Sequence, residues 1–112
     1  MSLRCLVTGA TGYVGGRLVR ELLASGHDVR VLARTPEKLR DFPWADDIEV
    51  AHGDAADQDS VSAAMRGMDV AYYLMHSLQE GRNLESAELD MAGSFSAAAS
   101  NQQDLKRIVY LG

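Results

Sequence analysis

The densest chemical signal lies near the start of the chain, in Thr8-Gly9-Ala10-Thr11-Gly12-Tyr13-Val14-Gly15. Glycines recur at 9, 12 and 15, and each has a physical task. Gly9 permits a tight turn, Gly12 lets the backbone approach a pyrophosphate where a Cβ would intrude, and Gly15 lets a following helix pack closely on a sheet. The first turn of such a helix aims its free N–H groups and the positive end of its dipole at phosphate oxygens. These residue types therefore offer a cradle for the diphosphate of a dinucleotide, with Gly9, Thr11, Gly12, Tyr13, Val14 and Gly15 as its expected lining. No Gly-Lys-Ser/Thr follows, so the loop is not that of a nucleoside-triphosphate site.

Such a loop works only between a strand and a helix. Residues 3–8 form an apolar run that reads as a strand. Residues 13–25 read as a helix, with Val14, Leu18, Leu22 and Val19, Leu23 at helical spacing and Gly26 as a stop. Residues 29–33 read as a second strand. Thr35-Pro36 reads as a cap with proline at the first position of a short helix. Residues 48–52 give a third strand. A helix capped within 57–60 then runs to about Arg66 and stops at Gly67. Residues 70–75 are a continuous apolar run, as for a strand covered on both faces. Residues 83–101 read as a longer helix and 107–111 as a fifth strand. Asp41 to Asp47 reads as a loose loop whose Trp44 covers the edge of the core. Strands alternating with helices imply parallel pairing through right-handed crossovers. A final strand with nothing after it to cover one side leads to the expectation of a longer parent protein.

Composition narrows the function classes. The chain has 112 residues, 46% hydrophobic and 24% charged, which is ordinary globular usage and argues against disorder. Its net charge is −5 and no block of Lys and Arg stands out, so bulk attraction to nucleic acid or anionic lipid is not expected. No apolar stretch is long enough for a membrane span, and no basic-then-apolar opening marks a secretory signal. A lone Cys5 in an apolar run reads as a buried small hydrophobe in a reducing, cytoplasmic setting. Three scattered histidines and one cysteine give no metal-ligand spacing.

The Thr-Gly-x-x-Gly-x-x-Gly pattern at 8–15 resembles the cofactor loop of short-chain dehydrogenase/reductase proteins. It is closest to the extended and atypical members, the NmrA-like and epimerase/dehydratase-like proteins. The resemblance covers essentially the whole chain. Gly53-Asp54 resembles the adenine-binding turn, residues 71–77 the fourth strand passing under the cofactor, and residues 107–112 the fifth. It implies one domain over 1–112, a Rossmann-type doubly wound α/β sheet of strand order 3-2-1-4-5, cut short after the fifth strand. It further implies that Asp54 accepts from the adenine amino group, that Ala55 follows with its backbone, and that Leu74 lies beneath the cofactor.

The choice between nicotinamide cofactors rests on the end of the second strand. An NAD site places Asp or Glu there, about 20 residues after the loop, to bind the ribose 2′-OH. Here Arg34 stands 19 residues after Gly15, and Asp28 comes too early. A guanidinium grips a 2′-phosphate that a carboxylate would repel. NADP is expected ahead of NAD, with Arg34 as the ligand, Thr35 adding a hydroxyl and Lys38 nearby as a solvated charge. His76, at the carboxyl end of the fourth strand, is a candidate donor to the nicotinamide ribose or a substrate. His27 and His52 read as structural.

In the resembled family a Tyr-x-x-x-Lys pair and a Ser move the proton. No such pair exists here: Tyr13 leads to Arg17, Tyr72 to His76 and Tyr73 to Ser77, and Tyr110 has no residue four ahead. The leading expectation is the dinucleotide-binding domain of an oxidoreductase, epimerase or dehydratase acting on a small molecule held by a further part of the protein. The alternative is a non-catalytic NmrA-like redox sensor, and flavin binding ranks third. A homodimer through the long helix, with its Ala97-Ala98-Ala99, is a further expectation.

Overall fold

The computed structural model describes residues 2–9, 13–55, 57–74, 93, 95–100, 102 and 105–110. Five strands form one parallel sheet: β1 (Arg4–Thr8), β2 (Asp28–Ala33), β3 (Glu49–His52), β4 (Val70–Tyr73) and β5 (Arg107–Tyr110). Their spatial order is β3-β2-β1-β4-β5, as the sequence predicts. Helix α1 (Tyr13–Ala24) links β1 to β2, and α2 (Gln58–Met65) links β3 to β4. Residues 95–100 belong to a third helix, α3, which precedes β5.

The two-residue period of the strands sorts their side chains into two layers. Cys5 and Val7 of β1 point into a cluster with Val19 and Leu22 of α1 and Val29 and Val31 of β2. Leu6 points the other way, among Val61, Ala64 and Met65 of α2 and Phe95 and Ala98 of α3. Cys5, Leu6 and Val7 are all buried, as expected of a central strand in a parallel sheet. Tyr72 and Tyr73 fall on opposite faces. Tyr73 lies edge-on to Phe95 with ring centroids 4.9 Å apart, whereas Tyr72 is half-buried on the α1 side. The edge strand β5 is exposed or half-buried along its length.

Two expectations change. The segment after Thr35 is a single 3-10 turn, Pro36–Leu39, and the Thr35 hydroxyl does not cap it. Four residues are too few to close a second i→i−4 bond, so the tighter turn wins. The segment 41–47 is not loose. Trp44 is buried and stacks on Phe42 at 4.7 Å, and a second 3-10 turn, Ala45–Asp47, follows it. Trp44 does seal the core edge as expected. The Asp57 carboxylate caps α2, accepting from the Asp59 N–H at 3.1 Å.

Candidate functional site

In a parallel sheet all carboxyl ends lie at one edge, and ligands of doubly wound folds bind there. The chain brings four of its expected elements to that edge. β1 ends at Thr8, β2 at Ala33, β3 at His52 and β4 at Tyr73. Gly9 then turns with φ +99°, a backbone conformation that side chains oppose. Leu74 follows β4 and donates its N–H to the Thr8 carbonyl at 2.9 Å, zipping the fourth strand to the base of the loop. Leu74 is buried, so it forms the floor of this edge and not a contact at its rim.

Helix α1 begins at Tyr13 and carries no acidic residue in its first turn. Its positive end therefore meets no carboxylate from its own first turn. Gly15 is buried within the helix, in keeping with a close approach to the sheet, while the Val14 side chain is 57% exposed at the helix start. Thr11, Gly12 and His76 lie outside the described residues.

Arg34 is exposed, directly past the carboxyl end of β2, and it makes no ion pair among the described residues. Its carbonyl accepts from Nε2 of His52 at 3.1 Å. Thr35 is exposed, and its hydroxyl is not spent on a helix cap. Gly53 donates its N–H to the Ala33 carbonyl at 3.0 Å, and Asp54 accepts the Asp57 N–H at 3.0 Å. The turn that presents Asp54 is thus tied to β2 on one side and to the α2 cap on the other. Asp54 is half-buried and Ala55 buried. Lys38 is exposed on the 3-10 turn.

Thr8 is a feature the sequence reading left without a role. It is 1% exposed, and its hydroxyl has no hydrogen-bond partner among the described residues. A buried orphan hydroxyl is costly, and it sits one residue before the glycine turn. The available signal was a hydroxyl residue closing an otherwise apolar strand.

A groove of about 620 Å³ runs along β3 and α2, lined in part by Arg30, Glu49, His52, Ser60 and Arg66, and includes neither the glycine turn nor Arg34. Its most buried cation is committed: Arg30 bonds to Glu49 and to the carbonyls of Ala64 and Arg66. The loop chemistry, not the volume of that groove, locates the site. Burial pushes the Tyr72 phenol pKa up, away from the lowered value that a general base would need.

No helix among the described residues is long and apolar enough to cross a membrane, and no group of three or more His, Cys, Asp or Glu among them is placed to hold a metal ion.

Known proteins match this arrangement. A family model described as NAD(P)H-binding covers residues 9–112. The chain is 43% identical over 70 residues to the 3β-hydroxysteroid dehydrogenase/Δ5→4-isomerase of Mycobacterium tuberculosis, a match that takes in 62% of the chain and 18% of that protein. It is 36% identical over 91 residues to sterol demethylase protein B of Methylococcus capsulatus, covering 80% of the chain and 27% of that protein. Among solved structures, a nucleoside-diphosphate-sugar epimerase from Staphylococcus aureus superposes with a TM-score of 0.80 at 24% identity, over 98% of this chain and 38% of that one, a likeness of fold. The chain thus spans about a fifth to a quarter of the length of these two curated relatives.

Proposed function

The chain belongs to this NAD(P)H-binding family, and from that premise we propose that it supplies the cofactor site of a dehydrogenase, reductase or epimerase with a preference for NADP. Such a cofactor, when bound, gives or takes a hydride at its nicotinamide. The residues at the sheet edge suit it. Gly9, Gly12 and Gly15 with the start of α1 hold the diphosphate. Val14 packs on the nucleotide and Leu74 supports it from below. Thr11 and Tyr13 belong to the same loop motif, Asp54 and Ala55 flank the adenine, and His76 is the candidate donor to the nicotinamide ribose or to a substrate. The names of the relatives, dehydrogenase and demethylase among them, favour a catalytic parent over a redox sensor. Substrate recognition belongs, in this reading, to a part of the parent protein beyond these 112 residues.

One observation carries the preference for NADP. An exposed arginine, in no ion pair among the described residues, stands just past β2, where an NAD site would present a carboxylate. Thr35 offers a second donor beside it, a hydroxyl that makes no helix-cap bond. Calorimetric titration of the purified chain with NADPH and NADH tests the reading. NADPH binds more tightly to the wild type. Arg34→Asp weakens NADPH more than NADH by about 1.5–3 kcal/mol, the range for a hydrogen bond to a charged group. Equal losses for both cofactors remove Arg34 from the 2′-phosphate site.

A further inference from the structure

The pairing of β2 with β3 ends at Ala33 opposite His52. The last backbone bond there runs from the Gly53 N–H to the Ala33 carbonyl at 3.0 Å. One residue further on, the His52 ring reaches back to β2, with Nε2 3.1 Å from the Arg34 carbonyl. A carbonyl only accepts, so Nε2 carries the proton, and a side chain ties Arg34 to β3 beyond the backbone pairing.

We propose that His52 is a positioning residue for NADP selectivity, fixing the Arg34–Thr35 peptide so that both side chains meet the 2′-phosphate together. The inference rests on the proposed role of Arg34. Its physical basis is pre-organisation. Arg34 is exposed and makes no ion pair among the described residues, so packing does little to orient it. Thr35 lacks a side-chain cap bond that would hold it otherwise. The bond from His52 to the Arg34 carbonyl ties the pair to β3, and the ordering it supplies need not be drawn from cofactor binding. Because His52 is itself exposed, water competes for the bond and the effect is modest.

The test is calorimetry with NADPH and NADH on wild type, Arg34→Asp, His52→Ala and His52→Gln. A glutamine amide can donate from about where Nε2 stands. His52→Ala is expected to weaken NADPH about three- to tenfold, the worth of one hydrogen bond, and to leave NADH nearly unchanged. His52→Gln is expected to recover most of the loss. A role in folding alone would lower both affinities together. Equal weakening of both cofactors by His52→Ala, no weakening, or no recovery with glutamine overturns the inference. If Arg34→Asp still abolishes NADPH preference in that case, the proposed function survives. A wild type without NADPH preference overturns both.

Discussion

Gly9 lies so close to Leu74 that a Cβ built on it would stand 3.1 Å from the Leu74 carbonyl carbon and 3.2 Å from its Cβ and carbonyl oxygen. The neighbours are mostly backbone, held by the bond from the Leu74 N–H to the Thr8 carbonyl at 2.9 Å, so they cannot swing aside. The first glycine of the motif therefore answers two demands at once, a φ of +99° and a close crossing of β4. Gly9→Ala is expected to lower unfolding free energy by about 1–3 kcal/mol, the cost of holding a side chain in a sparsely populated backbone region. Urea denaturation read at unchanged m-value measures it. A loss within experimental error would mean that the loop relaxes freely and that the close crossing is not binding on the sequence.

Gly53 makes the same kind of demand on α2. A Cβ there would come 2.8 Å from both Cβ and Oγ of Ser60 and 3.2 Å from a Leu32 methyl. Gly53→Ala must push α2 off the sheet, at a cost of about 1–3 kcal/mol for overpacking. Ser60→Gly removes both of the tightest contacts while giving up some helix propensity. The double variant is expected to be more stable than the sum of the two losses implies, with a coupling of at least about 0.5 kcal/mol in a double-mutant cycle. Strict additivity would show that the strain lies elsewhere.

How much of this was legible in the sequence depends on the range of the interaction. The glycine spacing from Gly9 to Gly15, the periodicity of α1 and the Asp57 cap are local, and each led to the element observed. Alternation of elements gave parallel pairing, and the order of the strands followed from the family resemblance that the loop motif carries. What escaped was long-range. The ring of His52 bonds to the residue that follows its own partner in β2, a contact invisible until the register of β2 and β3 is known. Arg30 looked like one residue of a strand, yet its guanidinium spans to the end of a helix more than thirty residues away in sequence. At Pro36–Leu39 local rules placed a short helix with proline first, as observed, but not its 3-10 form or the absence of a bond from the Thr35 hydroxyl at its cap.

Arg30 makes its own prediction. Its Nε meets Glu49 at 2.6 Å, and its Nη1 donates to the Ala64 carbonyl at 2.8 Å and the Arg66 carbonyl at 2.9 Å. The Arg30 side chain is 15% exposed but that of Glu49 is 63% exposed, so water screens the ion pair. The bonds that close the carbonyl end of α2 are the more protected part. Arg30→Ala is expected to cost about 1.5–3 kcal/mol, and Glu49→Ala less than about 1 kcal/mol. Thermal or urea unfolding of the two variants decides the matter. Equal losses would mean that the ion pair, not the helix end, is what Arg30 serves.

Cys5 gives the chain a pH dependence on the alkaline side. It is 1% exposed in the central strand, and burial pushes its thiol pKa up, with the negative charges of Asp69 and Asp28 adding to the effect. The native state thus holds the thiol proton more tightly than the unfolded chain does. The associated stability is fully present below the unfolded thiol pKa, about 8.5, and is lost as pH rises toward the raised native value. Tyr72, raised chiefly by burial, acts in the same direction but only above about pH 10, where an unfolded phenol ionises. Unfolding free energy measured between about pH 7 and 11 should therefore fall from about pH 8.5 upward. In Cys5→Ala the fall should begin later, leaving the part due to Tyr72. An unchanged onset in that variant would assign the alkaline loss to other groups. In the wild type at neutral pH, a thiol reagent should label Cys5 only as fast as the central strand opens, because the side chain has no path to solvent in the closed fold.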